Sequence, residues 1–398
     1  RVMIRLPLLC LLLSCLALAG CAPRTDIRGE TAGQRLEGLL FWNHTQREAR
    51  FPQMYRLFPS SRVARGTRIH ALPPGPSLTP RWTDGTTLAA YMRRYHIAGV
   101  LVLEDGHIRL QQYAPGVGPD TRWTSFSVAK SVTSMLLGIA LQRGDIRSLD
   151  DPLGTYIPEL RGHAYAGVTI RQLLTMTSGI AWNEDYADPR SDVARMYLAP
   201  CRDHEPHILT YMKDLPRQRP AGTQWHYSTG ETDLLGILVQ RATGQTLAAY
   251  LSRNLWQPYG MASDAYWIED ECDGSNLGGS GLSATLADYA RLGQFMLDRG
   301  RIDGKPVIAA AWLDQATRLQ QPVRDPGRGY GYQWWVDRNG GYAAIGIFGQ
   351  LVYVDPTRRL VIAQIANWPE ADSEALVAAR RAFVAAVKRG ADAGDTGR

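Results

Sequence analysis

The chain is organised around Trp123-Thr-Ser-Phe-Ser127-Val-Ala-Lys130-Ser-Val-Thr-Ser-Met-Leu-Leu-Gly-Ile-Ala-Leu-Gln-Arg-Gly144. From Ser131 onward apolar residues recur at helical spacing, and Gly144 is the residue type that commonly ends a helix. The pattern predicts a helix with Ser127 and Lys130 in its first turn. Residues three apart lie on the same helical face, so the lysine amine can reach the serine hydroxyl.

This pair has the chemistry of an activated nucleophile. A serine hydroxyl reacts poorly until a base takes its proton, and an amine that loses solvation has a lowered pKa and can act as that base. Arginine cannot replace it, because its guanidinium stays protonated. Lysine is scarce among the 44 basic residues, and Ser127 with Lys130 is the only Ser-x-x-Lys in the chain. The alternative interpretation is a serine helix cap followed by a solvated lysine.

The N-terminus has the features of an export signal. Arg5 precedes the apolar run 6–19, which is too short to span a membrane comfortably. The tetrapeptide Leu-Ala-Gly-Cys21 matches a bacterial lipobox, in which Cys21 would be acylated and become the mature N-terminus. A plain transmembrane anchor is the alternative, although no stop-transfer flank follows. Because Ala22 replaces the aspartate that marks inner-membrane retention, residues 1–21 predict a lipoprotein on the periplasmic side of the outer membrane.

Charge and cysteine usage restrict the partners. The net charge of +6 is mild and dispersed, which argues against nucleic acid. Cys201 and Cys272 would lie in an oxidising compartment, where a disulfide between them is the expected outcome. His204 and His207 follow Cys201 and superficially resemble a metal site, but Pro206 breaks the helix that such a ligand pair needs. We therefore predict a surface loop there, no metal and no cofactor.

The order of elements predicts an α+β fold. Residues 22–85 are rich in Arg, Gly and Pro, which indicates a tether and an irregular arm. A β-hairpin, a helical block, a β-meander and a final helix follow, so one antiparallel sheet is assembled from both ends of the domain 86–390. The sheet lobe covers about 86–126 and 301–390, with an all-helical lobe inserted over about 127–300. Predicted helices cover 87–95, 131–143, 169–176, 231–242, 247–255, 284–299 and 373–388, and predicted strands cover 97–103, 107–113, 330–336, 342–347, 351–354 and 360–366.

Short motifs in this chain occur in the order of a known superfamily. They are Ser127-Val-Ala-Lys130, Tyr227-Ser-Thr229 and Gly346-Ile-Phe-Gly349-Gln350. The chain resembles the serine β-lactamases and penicillin-binding proteins, in the class C-like branch that includes esterases and nylon-oligomer (6-aminohexanoate-dimer) hydrolases. The phrases most similar to the nylon-oligomer subgroup are Leu173-Leu-Thr-Met-Thr-Ser-Gly-Ile-Ala-Trp-Asn-Glu-Asp-Tyr186, Tyr227-Ser-Thr-Gly-Glu-Thr-Asp-Leu-Leu-Gly236 and Gly278-Gly-Ser-Gly-Leu-Ser283.

The resemblance implies roles for the motif residues. Ser127 would be the acylated nucleophile, Lys130 would take its proton, and Tyr227 would pass a proton to the leaving amine or alcohol, which suits a phenol beside an ammonium. The oxyanion would be bound by the backbone N–H groups of Ser127 and Gln350, with Gly349 allowing close approach. The alternatives are a core tyrosine at Tyr227 and a simple bulge at the glycine run.

Departures from the superfamily pattern narrow the substrate. The second motif often ends in asparagine, where this chain has Thr229. The third begins with lysine or histidine, where alignment on Gly349 puts Ile347. Without that cation the carboxylate of a β-lactam lacks a partner, so an ester or amide without that carboxylate, or one holding it elsewhere, is favoured. Tyr186 matches a loop tyrosine over the bound amide, or it packs on the surface.

The sequence thus predicts an exported, lipid-anchored serine hydrolase that forms an acyl-enzyme with small amides or esters. A peptidoglycan-directed D,D-peptidase or weak β-lactamase is the alternative within the same chemistry. A catalytically inactive binding lipoprotein is the alternative from another class.

Overall fold

The computed structural model describes residues 32–325 and 327–395. The predicted signal peptide and the lipidation site Cys21 lie outside the described residues. Within the described ranges, no helix is both long enough and apolar enough to cross a lipid bilayer.

Helices and strands alternate irregularly along the chain. The helices are α1 (Ala32–Leu39), α2 (His44–Arg50), α3 (Met54–Leu57), α4 (Leu88–Arg94), α5 (Val128–Arg143), α6 (Ile170–Leu174), α7 (Asp192–Arg195), α8 (His207–Lys213), α9 (Thr229–Thr243), α10 (Leu247–Leu251), α11 (Gln257–Tyr259), α12 (Leu286–Leu297), α13 (Ala310–Ala316) and α14 (Glu374–Asp395). The strands are β1 (Ser60–Val63), β2 (Ile97–Glu104), β3 (His107–Tyr113), β4 (Arg122–Thr124), β5 (Ala265–Ile268), β6 (Leu282–Thr285), β7 (Arg301–Ile302), β8 (Lys305–Pro306), β9 (Gln321–Pro322), β10 (Arg328–Tyr330), β11 (Trp335–Asp337), β12 (Tyr342–Gly346), β13 (Gln350–Asp355) and β14 (Leu360–Ala366).

The main sheet joins the two ends of the domain, as the sequence predicted. Its eight strands run in the order β3-β2-β14-β13-β12-β11-β10-β9, and each neighbouring pair is antiparallel. Side chains alternate between faces along β14. Val361 faces Gly293 of α12, where an added Cβ would lie 2.5 Å from it, whereas Gln364 accepts a hydrogen bond from Tyr91 of α4 at 2.7 Å. Helices therefore cover both faces, and the predicted α+β class is confirmed.

The prediction of an all-helical inserted lobe is wrong. A four-stranded sheet, in the order β1-β5-β6-β4, contains two strands from that lobe. β6 (Leu-Ser-Ala-Thr) alternates apolar and polar residues, but four residues are too few to indicate a strand, and the last two fall within the helix predicted over 284–299. The arm is not wholly irregular either, because it forms α1 to α3 and supplies β1, whose Ser60 pairs with Ile268 of β5.

The single strand predicted over 330–336 is two strands. β10 and β11 pair with each other across a tight turn, in which the Gly331 amide donates to the Trp334 carbonyl at 2.8 Å and Gln333 has a φ of +64°. Aromatic residues continue through this turn at Tyr332 and Trp334, and they conceal the turn signal of Gly331 in the sequence pattern.

A disulfide joins Cys201, before α8, to Cys272, after β5, with the Cα atoms 5.4 Å apart. The prediction of a surface loop is correct for exposed His204 and wrong for His207, which begins α8 and is buried. The ring of His207 contacts Asp270 at 2.9 Å and lies beside both sulfur atoms. Because the two sulfur atoms are bonded to each other, Cys201, Cys272 and His207 form a disulfide with a neighbouring histidine.

Candidate active site

Ser127 and Lys130 meet at the N-terminus of α5. Ser127 is the residue before the helix, and its hydroxyl makes no capping hydrogen bond to the helix backbone. The Lys130 Nζ instead lies 2.7 Å from the Ser127 Oγ. Lys130 is only 1% exposed. The interpretation of a helix cap followed by a solvated lysine therefore does not describe this pair.

The amine of Lys130 is held by three acceptors. Besides Ser127, its Nζ donates to the Thr229 Oγ1 at 2.9 Å and to the Gly279 carbonyl at 2.9 Å. Burial lowers the pKa of Lys130 to about 8, while the negative charge of Glu184, and after it that of Asp233, acts in the opposite direction. A substantial fraction of the amine is therefore neutral near pH 8 and can accept a proton.

Tyr227 stands next to the same amine. The Lys130 Nζ lies 5.0 Å from the centre of the tyrosine ring, and the ring stacks on Trp335 with centroids 5.7 Å apart. Burial, followed by the charge of Glu184, raises the pKa of Tyr227 well above its usual value, although the Ser127 hydroxyl acts the other way. The phenol stays protonated near neutral pH, which suits a group that delivers a proton and recovers one.

Glu184 is a site residue that the sequence analysis missed. Its carboxylate accepts hydrogen bonds from the Thr229 backbone N–H at 2.9 Å and from the Thr229 hydroxyl. It therefore caps the N-terminus of α9, where a negative charge is favourable. The Tyr186 hydroxyl also donates to it, at 3.0 Å. The sequence feature that could have identified Glu184 is its position two residues before Tyr186.

Asp233 is a second residue that was missed. It lies one helical turn after Thr229 on α9 and accepts hydrogen bonds from the Gly279 N–H at 2.7 Å and the Tyr197 hydroxyl at 2.9 Å. Burial raises the pKa of Asp233 to about 6, whereas the Gly279 N–H and the charge of Lys130 lower it. Because the Gly279 carbonyl accepts from Lys130, Asp233 helps to position a residue that holds the lysine amine.

The structure corrects the predicted oxyanion strand. The predicted donor was the backbone N–H of Gln350, but Gln350 is buried on β13, opposite Gly346 of β12, and is not among the residues that line the cavity. Gly346 and Ile347 line the cavity beside Ser127 instead.

The motif contains two glycines, Gly346 and Gly349, and the predicted donor depends on which of them is aligned with the superfamily. Gly349, with a φ of +94°, is required by the turn, whereas an added Cβ on Gly346 would lie 2.5 Å from the Ser125 carbonyl. Gly346 is therefore the glycine that approaches the nucleophile's neighbour closely, and the amide of Ile347, which follows it and lines the cavity, is the candidate strand donor. When the third motif is aligned on Gly346 instead of Gly349, its first residue is Ala344. The cation that the superfamily has at this position is therefore absent in either alignment.

Strained backbone lies next to both candidate oxyanion donors, Ser127 and Ile347. Phe126, just before Ser127, has a φ of +43°, and Phe348, just after Ile347, has a φ of +58°. Such conformations cost about 1–3 kcal/mol each unless packing holds them. The two rings lie 5.4 Å apart, and Phe51 of the arm packs against both, at 5.1 and 5.4 Å. The arm therefore helps to fix the geometry next to the nucleophile.

A cavity of about 410 Å³ extends from Ser127. Tyr186 and Glu184 line it near the nucleophile, so the structure places Tyr186 at the site rather than on an outer surface. A smaller cavity of about 60 Å³ shares Ser127 and Tyr186 and is closed by leucines of the arm, including Leu39 of α1. The further residues of the larger cavity are Trp225, Tyr227, Val323, Arg324, Asp325, Arg328, Trp335, Ile345, Gly346, Ile347, Trp368, Ala371, Asp372, Val377 and Arg380.

Sequence comparisons agree with this geometry. The Beta-lactamase family model matches residues 86–387. The 6-aminohexanoate-dimer hydrolase of Paenarthrobacter ureafaciens is 30% identical over 339 residues, which are 81% of this chain and 86% of that protein. Esterase EstB of Burkholderia gladioli is 34% identical over 151 residues, which are 36% of this chain and 38% of that protein.

Solved structures share the fold. A candidate 6-aminohexanoate-dimer hydrolase from Bacillus anthracis has a TM-score of 0.76 at 23% identity, with 85% of this chain and 93% of that chain covered. A family VIII carboxylesterase has a TM-score of 0.59 at 16% identity, with 75% and 95% covered. The matched family model and the relative from Paenarthrobacter ureafaciens together show that the chain belongs to the Beta-lactamase family and is a serine hydrolase of the β-lactamase fold.

Proposed function

We propose that this serine hydrolase cleaves small amides or esters through an acyl-enzyme formed on Ser127. One observation carries the proposal: a buried lysine amine, with a pKa lowered to about 8, lies 2.7 Å from the serine Oγ. The activities for which the sequence relatives are named, those of an amide hydrolase and an esterase, support the same substrate classes.

The proposed reaction has two halves. Lys130 takes the proton of the Ser127 hydroxyl as Oγ attacks the carbonyl carbon, and the N–H groups of Ser127 and Ile347 bind the resulting oxyanion. Tyr227 gives its proton to the leaving nitrogen or oxygen and regains one from the ammonium of Lys130. The C–N or C–O bond breaks and leaves an acyl ester on Ser127. Water then attacks this ester and gives a proton to the same groups, which pass one to Oγ as the acyl group leaves as the carboxylic acid.

The test is hydrolysis of p-nitrophenyl butyrate by the chain lacking residues 1–21. We expect a burst of nitrophenol, and Ser127→Ala should lower kcat/KM by about 10⁴-fold or more. Ser131→Ala is the matched control, because Ser131 lies on the same helix and donates only to the Gln333 carbonyl, at 2.7 Å. An equally active Ser127→Ala variant would remove the assignment, and an inactive wild type would favour a binding lipoprotein.

Action on β-lactams is the competing substrate class. The position that carries a cation in β-lactamases is uncharged Ala344, so we expect faint labelling by a fluorescent penicillin under conditions where the ester is turned over. Strong, stoichiometric labelling of Ser127 would favour a D,D-peptidase or β-lactamase instead.

We also propose that Cys21 anchors the protein by lipid at the periplasmic face of the outer membrane. The lipobox tetrapeptide ending at Cys21 supports this. Expression of the full chain in Escherichia coli with radiolabelled palmitate should label the protein, and Cys21→Ser should abolish the label. Equal labelling of both forms would contradict the anchor.

A further inference from the structure

A histidine lies against the disulfide that joins Cys201 to Cys272. The Nε2 of His207 is 3.8 Å from the Cys201 Sγ and 3.5 Å from the Cys272 Sγ, and its Nδ1 is 3.2 Å from the Cys272 Sγ. The two sulfur atoms and a ring nitrogen lie within 4.8 Å of one another. None of the three residues lines either cavity at Ser127, and no step of the proposed reaction uses them.

A buried carboxylate orients this histidine. Asp270 is 3% exposed, and its Oδ1 lies 2.9 Å from the His207 Nδ1. The same carboxylate accepts the backbone N–H of His207 and that of Cys272, each at 2.9 Å. When Nδ1 donates to a carboxylate, the neutral ring has its lone pair on Nε2. Metal-binding histidines have this arrangement, in which the nitrogen that does not bind the metal donates to a carboxylate.

The separations around Nε2 suit zinc. With Zn–S bonds of about 2.3 Å and Zn–N bonds of about 2.0–2.1 Å, tetrahedral geometry places a nitrogen roughly 3.5 Å from each sulfur and the sulfur atoms roughly 3.8 Å apart. Nε2 is already 3.5 and 3.8 Å from the two sulfur atoms. The sulfur atoms are bonded to each other, so they are too close together and are not thiolates. Opening the disulfide removes both obstacles.

The three ligands join distant parts of the chain beside the active site. Cys201 and His207 lie at the beginning of α8, whereas Cys272 follows β5, 71 residues after Cys201. A bond between these parts, covalent or through a metal, attaches α8 to β5. Met212 of α8 packs against Gly230 in the first turn of α9, next to the residue that accepts a hydrogen bond from Lys130.

We propose that Cys201, Cys272 and His207 bind one Zn²⁺ when the disulfide is reduced, with Asp270 positioning the histidine. Two thiolates and an imidazole are a ligand set that selects zinc. A chain is synthesised with its cysteines as thiols, so the site exists before the disulfide forms and again after a reductant opens it. Because Cys201 is exposed, water can take the fourth coordination position. The metal keeps α8 attached to β5 in the dithiol form.

The change between the two forms balances with a dithiol as reductant. One thiolate of the reductant attacks the exposed Sγ of Cys201, the S–S bond breaks, and Cys272 leaves as a thiolate. The second thiolate of the reductant then displaces Cys201 and closes a disulfide within the reductant, so two electrons and two protons pass to the protein. Binding of Zn²⁺ releases the two thiol protons and leaves two thiolates and a neutral imidazole on the metal.

The experiment uses the chain lacking residues 1–21, in which Cys201 and Cys272 are the only cysteines. Co²⁺ is the probe, because it occupies zinc sites and absorbs light according to its ligands. The anaerobically reduced chain should bind one Co²⁺ with thiolate-to-metal charge-transfer absorption, and Zn²⁺ should displace it. The oxidised chain should show no such absorption. Zn²⁺ should raise the Tm of the reduced chain or, if that chain is unfolded in a chelator, restore its circular dichroism.

Variants identify the ligands. Cys201→Ser, a change at an exposed residue, and His207→Gln should each weaken Zn²⁺ binding by at least about tenfold in the reduced chain. Asp270→Asn should weaken it by about 10–100-fold without altering the charge-transfer absorption of the saturated site. His204→Gln is the matched control, because His204 is exposed three residues before His207 and should leave the affinity unchanged.

The site has clear ways to fail. A reduced chain that binds Co²⁺ without thiolate absorption, or that binds none, overturns the proposal. Equal affinity in the reduced and oxidised chains, or a loss of affinity in His204→Gln alone, places the metal elsewhere and overturns it too. An unchanged affinity in folded Cys201→Ser has the same consequence. None of these outcomes depends on the proposed hydrolase activity.

Discussion

The two ends of the main cavity differ in how their buried cations are held. Lys130, 1% exposed, donates hydrogen bonds to three acceptors, whereas Arg380, 5% exposed, donates none to the described residues. The catalytic end is therefore organised before any substrate arrives. At the distal end, the Nε of the buried Arg380 has no hydrogen-bond acceptor among the described residues.

This difference predicts two kinds of mutational effect. Changes at the catalytic end should lower kcat/KM for charged and neutral substrates by the same factor, because both share the reacting carbonyl. Changes at Arg380 should have a smaller effect on both substrates, because no step of the proposed reaction uses this side chain. The measurements below use the mono-p-nitrophenyl ester of adipic acid as the charged substrate and the p-nitrophenyl ester of adipic monoamide as the neutral one.

Lys130→Met should have the largest effect, a loss of about 10⁴-fold or more in kcat/KM on both esters, because no other group can take the serine proton. Lys130→Arg should lose a similar factor, since a guanidinium does not act as a base near neutral pH. Steady-state kinetics measures both. Lys213→Met is the control, because Lys213 pairs with Glu205 at 2.7 Å outside the cavity. A Lys130 variant within tenfold of wild type would contradict the assigned base.

Tyr227→Phe should lower kcat/KM by about 10²–10⁴-fold through loss of the proton donor. The ring can keep its stacking on Trp335, so the fold and the ratio between the two esters should be preserved. The loss should be greater for an amide such as a butyryl anilide, because an amine leaves only after protonation. Equal, small losses on ester and amide would assign Tyr227 a packing role only.

The pH profile should show the smallest but most specific effect. An ammonium cannot accept a proton, so kcat/KM should fall as pH decreases through about 8, the pKa that burial gives Lys130. Because the charge of Glu184 raises that pKa, Glu184→Gln should move the midpoint to lower pH. Asp185→Asn, a change at the exposed neighbouring carboxylate, should leave it in place. A midpoint unaffected by Glu184→Gln would contradict the electrostatic coupling.

Much of the main sheet could be predicted because its strands have local signatures. The hairpin of β2 and β3 has a turn at Glu104-Asp105-Gly106, and the later strands are long enough to show their pattern. The sequence does not predict β5 and β6, because each strand has only four residues, which is too few to show a reliable pattern. Their identity depends on pairing with β1 and β4, which no local pattern encodes.

The site residues, too, could be predicted only where a local sequence motif marks them. Ser127, Lys130 and Tyr227 were predicted together because their motifs follow a known superfamily order, and the structure brings them together. Glu184 and Arg380 come from a loop and from the last helix, and only the tertiary fold brings them to the cavity. The error over Gln350 arose because two glycines three residues apart fit one motif, and only the close approach to Ser125 distinguishes them.

The central claim is that the hydroxyl activated by Lys130 becomes acylated. Wild-type protein mixed with p-nitrophenyl butyrate, quenched in acid within the burst and digested, should yield the peptide containing Ser127 with the mass of one added butyryl group. The adduct should be absent from Ser127→Ala and disappear from wild type as substrate is exhausted. Full turnover with an unmodified Ser127 peptide, or with the butyryl group on another residue, would contradict the account.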